Sequence, residues 1–323
     1  MAERPGVLLD FSFEREGKLE AFRSALLGRE IVAAWDGAPP PAERHGLAYA
    51  VVWNPEPGSL AAMPDLRVVF SLGAGVDHVV GDPTLPDVPL VRFVDPDLTG
   101  RMVEWVVLQA LTHLRRAPAY AAAQAKRQWR ELEAPPAREM RVGIMGMGEL
   151  GRACVAPLGT LGFPVAGWSR SGRMRGGSVE GVEMFDAAGL DAFLARTDML
   201  VCLLPLTDET RGLIDASLID RLATDGPFGA PIIVNAGRGG SQVEADLVAA
   251  LADGRLHAAS LDVFEREPLP ADSPLWARPD VVVTPHMAAV STGRALAGHV
   301  ARQIERFEAG EPLEHVVDRA RGY

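Results

Sequence analysis

Short, continuous apolar runs recur through the first hundred residues, with polar stretches that can form helices between them. Five of these runs predict β-strands, at residues 7–9, 31–34, 48–53, 67–72 and 90–93. Strands that are apolar at every position, rather than at alternate positions, are typical of parallel sheets with helices on both faces. The pattern therefore predicts an α/β domain built on a parallel sheet.

A second series of the same kind follows a long helical stretch at residues 102–114 and a break at Pro135 and Pro136. Its six predicted strands lie at residues 142–145, 164–168, 199–203, 232–234, 258–262 and 281–284. Six parallel strands with intervening helices are typical of the doubly wound Rossmann fold. The second series thus predicts a nucleotide-binding domain.

At 323 residues the chain is long for a single hydrophobic core, so two domains are expected. A last helical stretch, at residues 293–309, follows the final strand and is expected to return to the first domain. We therefore assign residues 1–100 and 290–323 to one discontinuous domain, and residues 101–289 to the other.

Composition and charge narrow the range of partners. The formal net charge of −11 argues against nucleic acid or an anionic membrane, because both favour basic surfaces. Cys154 and Cys202 form no CxxC motif and no apolar signal region begins the sequence, which predicts a cytoplasmic protein. The longest apolar run, at residues 199–206, is too short to span a membrane. No metal site is expected.

The segment RVGIMGMGELG places Gly146, Gly148 and Gly151 directly after a predicted strand and at the start of a predicted helix. A GxGxxG pattern in this context predicts a dinucleotide site, with an ordinary glycine-rich turn as the alternative. Gly146 permits the tight turn. Gly148 lets a pyrophosphate approach the backbone at the helix N-terminus, where the helix dipole favours its charge.

The next strand should end beside the adenosine ribose, where many such domains carry an acidic residue that binds the 2′-hydroxyl. Here the sequence is GWSRSGRMR, so Ser169, Arg170 and Ser171 occupy that place, and Arg173 and Arg175 follow. Arg170 can pair with a 2′-phosphate in bidentate fashion, and the serines can donate hydrogen bonds to it. The segment predicts NADP rather than NAD as cofactor. A solvated basic loop is the alternative.

Three predicted strands of the second domain end close to ionisable side chains. PIIVNAGRGG carries Arg238 and VVVTPHMAA carries His286, while LDVFEREPLP carries Glu265 and Glu267. Ligands bind beyond the carboxyl ends of such strands, so these groups are predicted to meet at one site. Arg238 can bind a substrate carboxylate, His286 can donate a proton to a developing alkoxide, and Glu267 can hold the imidazole. This set predicts the reduction of a 2-keto acid.

These segments resemble the D-isomer-specific 2-hydroxyacid dehydrogenases along nearly the whole chain, in GIMGMGELG, LPLTDETRGLI, VNAGRGG, LDVFEREPLP and TPHMAA. The resemblance implies a flavodoxin-like substrate-binding domain in addition to the Rossmann domain, and it makes Arg238, Glu267 and His286 catalytic. It also implies that Asp262 lies near the nicotinamide carboxamide. The VVW and WSRS segments look closest to the bacterial glyoxylate/hydroxypyruvate reductase branch, which generally prefers NADPH.

The segment SLGAGVDHV matches the substrate loop of that family. The match implies that the backbone N–H groups of Ala74, Gly75 and Val76 hold the substrate carboxylate. Trp53 is a candidate wall that would restrict the pocket to short acids, with a core position in its strand as the alternative. The sequence does not select one particular acid.

The predicted cofactor contacts come from the glycine loop, the ribose segment and the loops after later strands: Gly146, Met147, Gly148, Glu149, Leu150, Gly151, Ser169, Arg170, Ser171, Leu204, Pro205, Ala236, Gly237 and Asp262. Gly237, Gly239 and Gly240 are expected to leave room for substrate and nicotinamide. PHMAA departs from the usual family pattern of His, an apolar residue and two glycines. Ala288 and Ala289 are small enough to keep the site.

The sequence therefore predicts an NADPH-dependent reductase of glyoxylate, hydroxypyruvate or a similar small 2-keto acid. One alternative is an NAD-dependent dehydrogenase of a larger D-2-hydroxy acid. Another is a nucleotide-sensing scaffold of the C-terminal-binding corepressor type, since those proteins share the fold and the triad. The resemblance also implies a homodimer.

Overall fold

The apolar runs of the first hundred residues form a sheet of five parallel strands in the order β2-β1-β3-β4-β5. The strands are β1 (Arg4–Asp10), β2 (Arg29–Ala33), β3 (Leu47–Val52), β4 (Val68–Ser71) and β5 (Leu90–Val91). Helix α1 (Arg15–Ala25) connects β1 to β2, and α2 (Asp77–Val80) lies between β4 and β5. This strand order is the flavodoxin-like one, as predicted.

The second sheet has seven parallel strands in the order β12-β11-β10-β9-β6-β7-β8. The strands are β6 (Val142–Met145), β7 (Val165–Trp168), β8 (Glu183–Phe185), β9 (Met199–Cys202), β10 (Ile232–Asn235), β11 (Ala258–Leu261) and β12 (Val281–Val283). The order confirms the predicted Rossmann fold. The prediction of six strands is wrong by one, because β8 is a short edge strand with an exposed Glu183 and no continuous apolar run.

The remaining α-helices are α3 (Pro96–Leu114), α4 (Ala117–Ala125), α5 (Glu149–Thr160), α6 (Leu190–Ala195), α7 (Ala216–Ile219), α8 (Glu244–Asp253) and α9 (Gly293–Glu308). Helix α3 begins at Pro96 rather than at residue 102. Proline is favoured at the first helical position, where its missing N–H would have no partner within the helix. No helix in the described part of the chain is both long and apolar enough to cross a membrane.

The computed structural model describes residues 4–174, 176–319 and 321–322, and the chain divides into two compact units. One unit contains the residues up to Leu98 together with those from Ser291 onwards, and the other runs from Thr99 to Val290. Helix α9 lies in the first unit and packs against α1. A Cβ on Gly293 would lie only 3.2 Å from Cα of Lys18, so glycine allows this close helix contact.

The central strands of the seven-stranded sheet are buried on both faces, which explains why β6, β9 and β10 are apolar at nearly every position. In β9, Met199 and Val201 pack into one hydrophobic cluster, whereas Leu200 and Cys202 pack into the cluster on the opposite face. Because these central strands do not meet water, their polar side chains lie mostly at the strand ends. Ser260 within β11 is an exception, and its hydroxyl is hydrogen-bonded to Gln109 and His113.

Candidate active site

Three neighbouring strands place the candidate catalytic residues at one edge of the seven-stranded sheet. Strands β10, β11 and β12 are adjacent and parallel, so the segments that follow them leave from the same edge. Arg238 follows β10, Glu267 follows β11 and His286 follows β12. Ligands of doubly wound sheets bind at this edge.

His286 and Glu267 are directly hydrogen-bonded. Nδ1 of His286 lies 2.7 Å from Oε2 of Glu267, with 33% and 36% of the two side chains exposed. The other carboxylate oxygen, Oε1, accepts the N–H of Phe264 at 3.0 Å. Burial raises the pKa of Glu267, but the hydrogen bonds from His286 and Phe264 and the charge of Arg238 outweigh it, so this pKa is lowered overall. Glu267 is therefore a charged group that fixes the orientation of the imidazole.

Arg238 lies directly before a short 3-10 turn, Gly239–Ser241. Its carbonyl accepts hydrogen bonds from the Ser241 hydroxyl at 2.6 Å and from the side-chain amide of Asn235 at 3.3 Å. These bonds fix the backbone of Arg238, while its guanidinium is close enough to Glu267 to lower the pKa of that carboxyl. The structure thus brings Arg238, Glu267 and His286 together.

A buried carboxylate anchors the loop that carries His286. His286 has a left-handed backbone, with φ of 55°, which costs a non-glycine residue about 1–3 kcal/mol. Its N–H donates to the carbonyl oxygens of Asp262 at 2.8 Å and of Thr284 at 3.0 Å. The Asp262 carboxylate also accepts the N–H groups of Met287 at 2.8 Å and Ala288 at 2.9 Å. Asp262 therefore positions this loop, and its implied contact with the nicotinamide stays a prediction.

The glycines after β10 are required by packing between loops. A Cβ on Gly239 would lie 1.8 Å from the carbonyl oxygen of Phe264, and one on Gly237 would lie 2.7 Å from that of Leu204. A Cβ on Gly240 would lie 3.0 Å from a neighbouring side chain. Packing against protein atoms therefore accounts for these glycines, and the expectation that they leave room for ligands stays a prediction. The predicted cofactor contact of Gly237 is a separate matter and stays a prediction.

The glycine loop after β6 fits a dinucleotide pyrophosphate. Gly146 has φ of 107°, and a Cβ there would lie 2.9 Å from the carbonyl of Leu203. A Cβ on Gly151 would lie 2.1 Å from the carbonyl oxygen of Gly146, so the helix can approach the strand only without a side chain. By contrast, a Cβ on Gly148 would meet nothing within 4 Å. Gly148 immediately precedes α5, so this open space lies at a helix N-terminus, where a pyrophosphate is favoured.

The predicted ribose segment lies directly after β7. The Ser169 hydroxyl donates to the carbonyl of Arg173 at 2.8 Å, and Arg170 and Ser171 are exposed. Arg170 forms an ion pair with Glu209 in the loop after β9. The guanidinium expected to meet a 2′-phosphate therefore has a carboxylate partner in this structure. Arg175 lies outside the described residues.

The other predicted cofactor contacts surround the glycine loop. The side chain of Met147 is buried in a hydrophobic cluster, so only its backbone is available to a ligand. The rest lie in the first turn of α5 or just beyond β9 and β10: Glu149, Leu150, Leu204, Pro205 and Ala236. Their contacts with a cofactor stay predictions.

In the first unit, the predicted substrate loop joins β4 to α2. The Ser71 hydroxyl donates to the carbonyl of Gly75 at 3.0 Å, which folds the loop back on the end of β4. Among the described residues, no backbone carbonyl accepts the N–H groups of Ala74, Gly75 and Val76. Successive N–H groups of this kind are suited to a carboxylate.

Trp53 packs against this loop. A Cβ on Gly73 would lie 2.6 Å from the Trp53 ring, so the ring covers the start of the loop. The ring of His78 lies 4.4 Å from that of Trp53, and the ring of Phe13 meets it edge-on at 6.0 Å. Trp53 is only partly buried. It therefore lies beside the substrate loop rather than in the hydrophobic core around β3.

The structure shows two contacts near the site that the sequence analysis did not anticipate. Glu265, the other glutamate of the loop after β11, accepts the N–H of Glu244 at 2.7 Å. Glu209 was not singled out, although it lies in the LPLTDETRGLI segment that carries the family resemblance. Its position was the signal that could have identified it. Glu209 is an acidic residue in the loop after β9, and β9 and β7 are the two strands that flank β6 and its glycine loop. Among the described residues, no group of three or more His, Cys, Asp and Glu could hold a metal ion.

A family model described as D-isomer specific 2-hydroxyacid dehydrogenase, NAD binding domain, matches residues 107–288. The chain belongs to this family, as its motifs predicted, and it is an oxidoreductase.

Similar proteins narrow the comparison within that family. Glyoxylate/hydroxypyruvate reductase A of Escherichia fergusonii is 39% identical over 319 residues, which is 97% of each chain. The structure resembles the NADPH-dependent glyoxylate/hydroxypyruvate reductase of Sinorhizobium meliloti in complex with NADP and sulfate, with 55% identity, a TM-score of 0.92 and coverage of 98% and 99% of the two chains. It also resembles a probable 2-hydroxyacid dehydrogenase of Rhizobium etli in complex with NADP, HEPES and tartaric acid, at 51% identity, a TM-score of 0.91 and 99% and 100% coverage.

Proposed function

We propose that the protein reduces a small 2-keto acid, glyoxylate or hydroxypyruvate, to the 2-hydroxy acid with NADPH. The observation that carries this proposal is the 2.7 Å contact between His286 and Glu267, with Arg238 at the same sheet edge. Relatives at 39% and 55% identity that are named glyoxylate/hydroxypyruvate reductases support the substrate class. They favour this activity over an NAD-dependent dehydrogenase of a larger acid and over a nucleotide-sensing scaffold.

The catalytic roles follow from the charges of the three side chains. A bound reduced nicotinamide supplies a hydride to the carbonyl carbon of the substrate. Arg238 binds the substrate carboxylate and polarises the carbonyl with its positive charge. His286, held through Nδ1 by Glu267, donates the proton of Nε2 to the developing alkoxide. The Glu267 carboxylate stabilises the protonated imidazole before this transfer.

The cofactor is assigned to NADP on two grounds. The open N-terminus of α5 at Gly148 fits the pyrophosphate, and the end of β7 offers Arg170 and two serines where an acidic residue would repel a 2′-phosphate. Solved structures at 51% and 55% identity contain NADP. Arg170 would then exchange Glu209 for the phosphate, with Ser171 as an additional donor and Ser169 as another once its hydroxyl releases the carbonyl of Arg173.

An initial-rate screen tests the activity directly. The protein is assayed with 2-keto acids of increasing chain length, with NADPH and with NADH at fixed ionic strength. We expect glyoxylate and hydroxypyruvate with NADPH to give the highest kcat/KM. Turnover of larger acids with NADH alone would support the dehydrogenase alternative. Binding of NADPH without turnover of any acid would support the scaffold.

The substrate loop is proposed to bind the substrate carboxylate through the N–H groups of Ala74, Gly75 and Val76. Trp53, which packs over the start of this loop, would limit the length of the substrate. Trp53→Ala should therefore lower KM for longer 2-keto acids and change KM for glyoxylate much less. Trp276→Ala is a suitable control, because Trp276 is an exposed tryptophan of the other unit. Equal effects on short and long acids would contradict the role of Trp53.

A homodimer and a cytoplasmic location are also proposed. Three large apolar side chains of α3, α4 and the segment after them are exposed, namely Leu108 at 57%, Tyr120 at 40% and Trp129 at 95%, which supports a surface that another copy covers. Sedimentation should give a dimer that Trp129→Glu weakens and Trp276→Glu does not. A monomer at every concentration would contradict this. Cell fractionation checks the location, which the two unpaired buried cysteines support.

A further inference from the structure

Arg170 and Glu209 come from loops on opposite sides of the glycine loop. Strand β6 lies between β7 and β9, and neighbouring strands are about 4.8 Å apart. Arg170 follows β7 and Glu209 follows β9, so their ion pair joins loops whose strands are about 10 Å apart. The strand between them ends in the Gly146 turn. A nucleotide with its pyrophosphate at Gly148 and its ribose at the end of β7 has to share this region.

A tight turn restricts where the Glu209 carboxylate can reach. The Thr210 hydroxyl accepts the N–H of Thr207 at 2.8 Å and donates to the carbonyl of Pro205 at 2.7 Å. The N–H of Arg211 also donates to the carbonyl of Thr207 at 3.0 Å. Glu209 lies inside this hydrogen-bonded turn, so its backbone position is set by the fold.

The ion pair itself is open to solvent. The side chain of Arg170 is 51% exposed and that of Glu209 is 65% exposed. Exposed pairs of this kind are weak, because water and salt screen them, so the arginine can change partners at little cost. A 2′-phosphate carries about two negative charges and accepts two parallel hydrogen bonds from a guanidinium, which makes it the stronger partner.

We propose that Glu209 is a specificity-determining residue whose carboxylate competes with the 2′-phosphate of the cofactor for Arg170. The proposal rests on the NADP cofactor of the proposed function. NADP has to displace Glu209 from the guanidinium and bind with that negative charge nearby. NAD has no 2′-phosphate and no need of Arg170, so Glu209 affects its binding little.

Calorimetric titration of the full-length protein tests this without relying on turnover. The ligands are NADP, 2′,5′-ADP and NAD, and the variants are Glu209→Gln, Arg170→Ala and the two combined. Asp208→Asn is the matched control, because Asp208 is the adjacent exposed carboxylate and its substitution removes the same charge. Glu209→Gln should lower Kd for NADP and 2′,5′-ADP about two- to fivefold and leave Kd for NAD unchanged. Asp208→Asn should have a smaller effect.

Two further comparisons isolate the role of Arg170. The gain from Glu209→Gln should disappear in the Arg170→Ala background, and it should shrink as salt is added. A gain that persists without Arg170 would overturn the competition, because it would come from direct repulsion. An equal gain for NAD would overturn it as well, since Glu209 would then obstruct the adenosine in general. Weaker NADP binding by Glu209→Gln would show that Glu209 supports Arg170, which is the opposite of the proposal.

The titration separates this proposal from the cofactor assignment. If the unsubstituted protein binds NAD but neither NADP nor 2′,5′-ADP, the cofactor assignment fails and the competition with it. If NADP binds well and Glu209→Gln leaves its Kd unchanged, only the competition is refuted.

Discussion

In the seven-stranded sheet, the amino ends of the strands form one edge and the carboxyl ends form the other, here called the amino edge and the carboxyl edge. Each edge carries an arginine–carboxylate pair, but the two pairs are built differently. At the amino edge, Arg141 precedes β6 and Asp198 precedes β9. The Asp198 carboxylate accepts the backbone N–H of Arg141 at 2.7 Å and its Nε and Nη2 at 2.9 and 2.7 Å. At the carboxyl edge, the Arg170–Glu209 ion pair is open to solvent, with 51% and 65% of the two side chains exposed.

The surroundings of the two pairs explain the difference. The Asp198 side chain is 5% exposed, and a Cβ on Gly226 would lie 2.1 Å from its Oδ1, so the chain closes tightly around this carboxylate. Hydrogen bonds to Asp198 and Asp225 outweigh the effect of burial and raise the pKa of Arg141. An ion pair sealed by backbone in this way supports the fold. An open pair at the ligand-binding edge is available to a bound molecule.

The largest effect is expected from removing His286, the proposed proton donor at the carboxyl edge. His286→Ala removes general acid catalysis, so kcat for keto acid reduction should fall about 10²–10⁴-fold. NADPH binding, measured by titration, should survive because the glycine loop is unchanged. His45→Ala, which alters an exposed histidine of the first unit, is the control. Near-normal turnover by His286→Ala would contradict the assignment.

Removing the Arg141–Asp198 ion pair at the amino edge should lower the stability of the fold and leave the catalysed reaction unchanged. Arg141→Met leaves the buried Asp198 carboxylate without its guanidinium. Breaking a fully buried pair costs about 3–5 kcal/mol, and the partial exposure of Arg141 reduces this to about 2 kcal/mol. Urea unfolding measures the loss, while kcat of the folded enzyme should stay the same. Arg255→Met removes two solvent-exposed ion pairs, with Asp220 and Asp253, and should barely move the unfolding midpoint. A large fall in kcat for Arg141→Met would contradict the purely structural role of this pair.

A smaller effect is expected at the open pair. Arg170→Ala should raise KM for NADPH about tenfold and leave KM for NADH nearly unchanged, because the lost contact is charged but exposed. Initial rates at fixed ionic strength measure both constants. Arg173→Ala removes an exposed charge of the same loop and should have less effect. If both substitutions raise both constants equally, Arg170 contributes only general positive charge.

The smallest effect is expected on the pH profile of the reaction, from substituting Glu267 at the carboxyl edge. The pKa of Glu267 is lowered in the folded protein, so its carboxylate stays charged through neutral pH and becomes protonated only at acidic pH. Glu267→Gln removes the negative charge that stabilises the protonated imidazole. In the unsubstituted enzyme, kcat/KM for reduction should fall at acidic pH as the Glu267 carboxylate is protonated, and this acidic limb should be missing from Glu267→Gln. Glu265→Gln, which alters the carboxylate bound to the N–H of Glu244, should leave the profile unchanged. The same change of profile in both variants would contradict the pairing.

The positions of most strands could be predicted because the strands are buried on both faces. Burial requires apolar residues at every position, and this leaves runs such as residues 199–203 that stand out locally. Strand β8 could not be found in this way, because an edge strand with partial exposure is not constrained to be apolar. The first turn of α3 was missed because Pro96 and Asp97 suggest a loop unless proline is considered at a helix start.

The candidate site could be predicted where its residues lie directly after apolar strands. Arg238 and His286 lie directly beyond apolar strands, so parallel pairing alone brings them to one edge. Glu267 was assigned to His286, but both Glu265 and Glu267 lie in the same loop, and only its folded path shows that Glu267 reaches the imidazole. The packing of the glycines after β10 could not be predicted, since their neighbours come from distant loops such as the one at Phe264.

By itself, the sequence determined the family, the two parallel sheets and the glycine loop, because each depends on residue types within a short segment. Only the tertiary structure decided that Asp262 anchors the His286 loop, that Asp198 is enclosed beside Arg141, and that Arg170 meets Glu209. These contacts join residues that are far apart in the chain. Their partners depend on strand order and loop paths, which no local pattern of apolar and polar residues specifies.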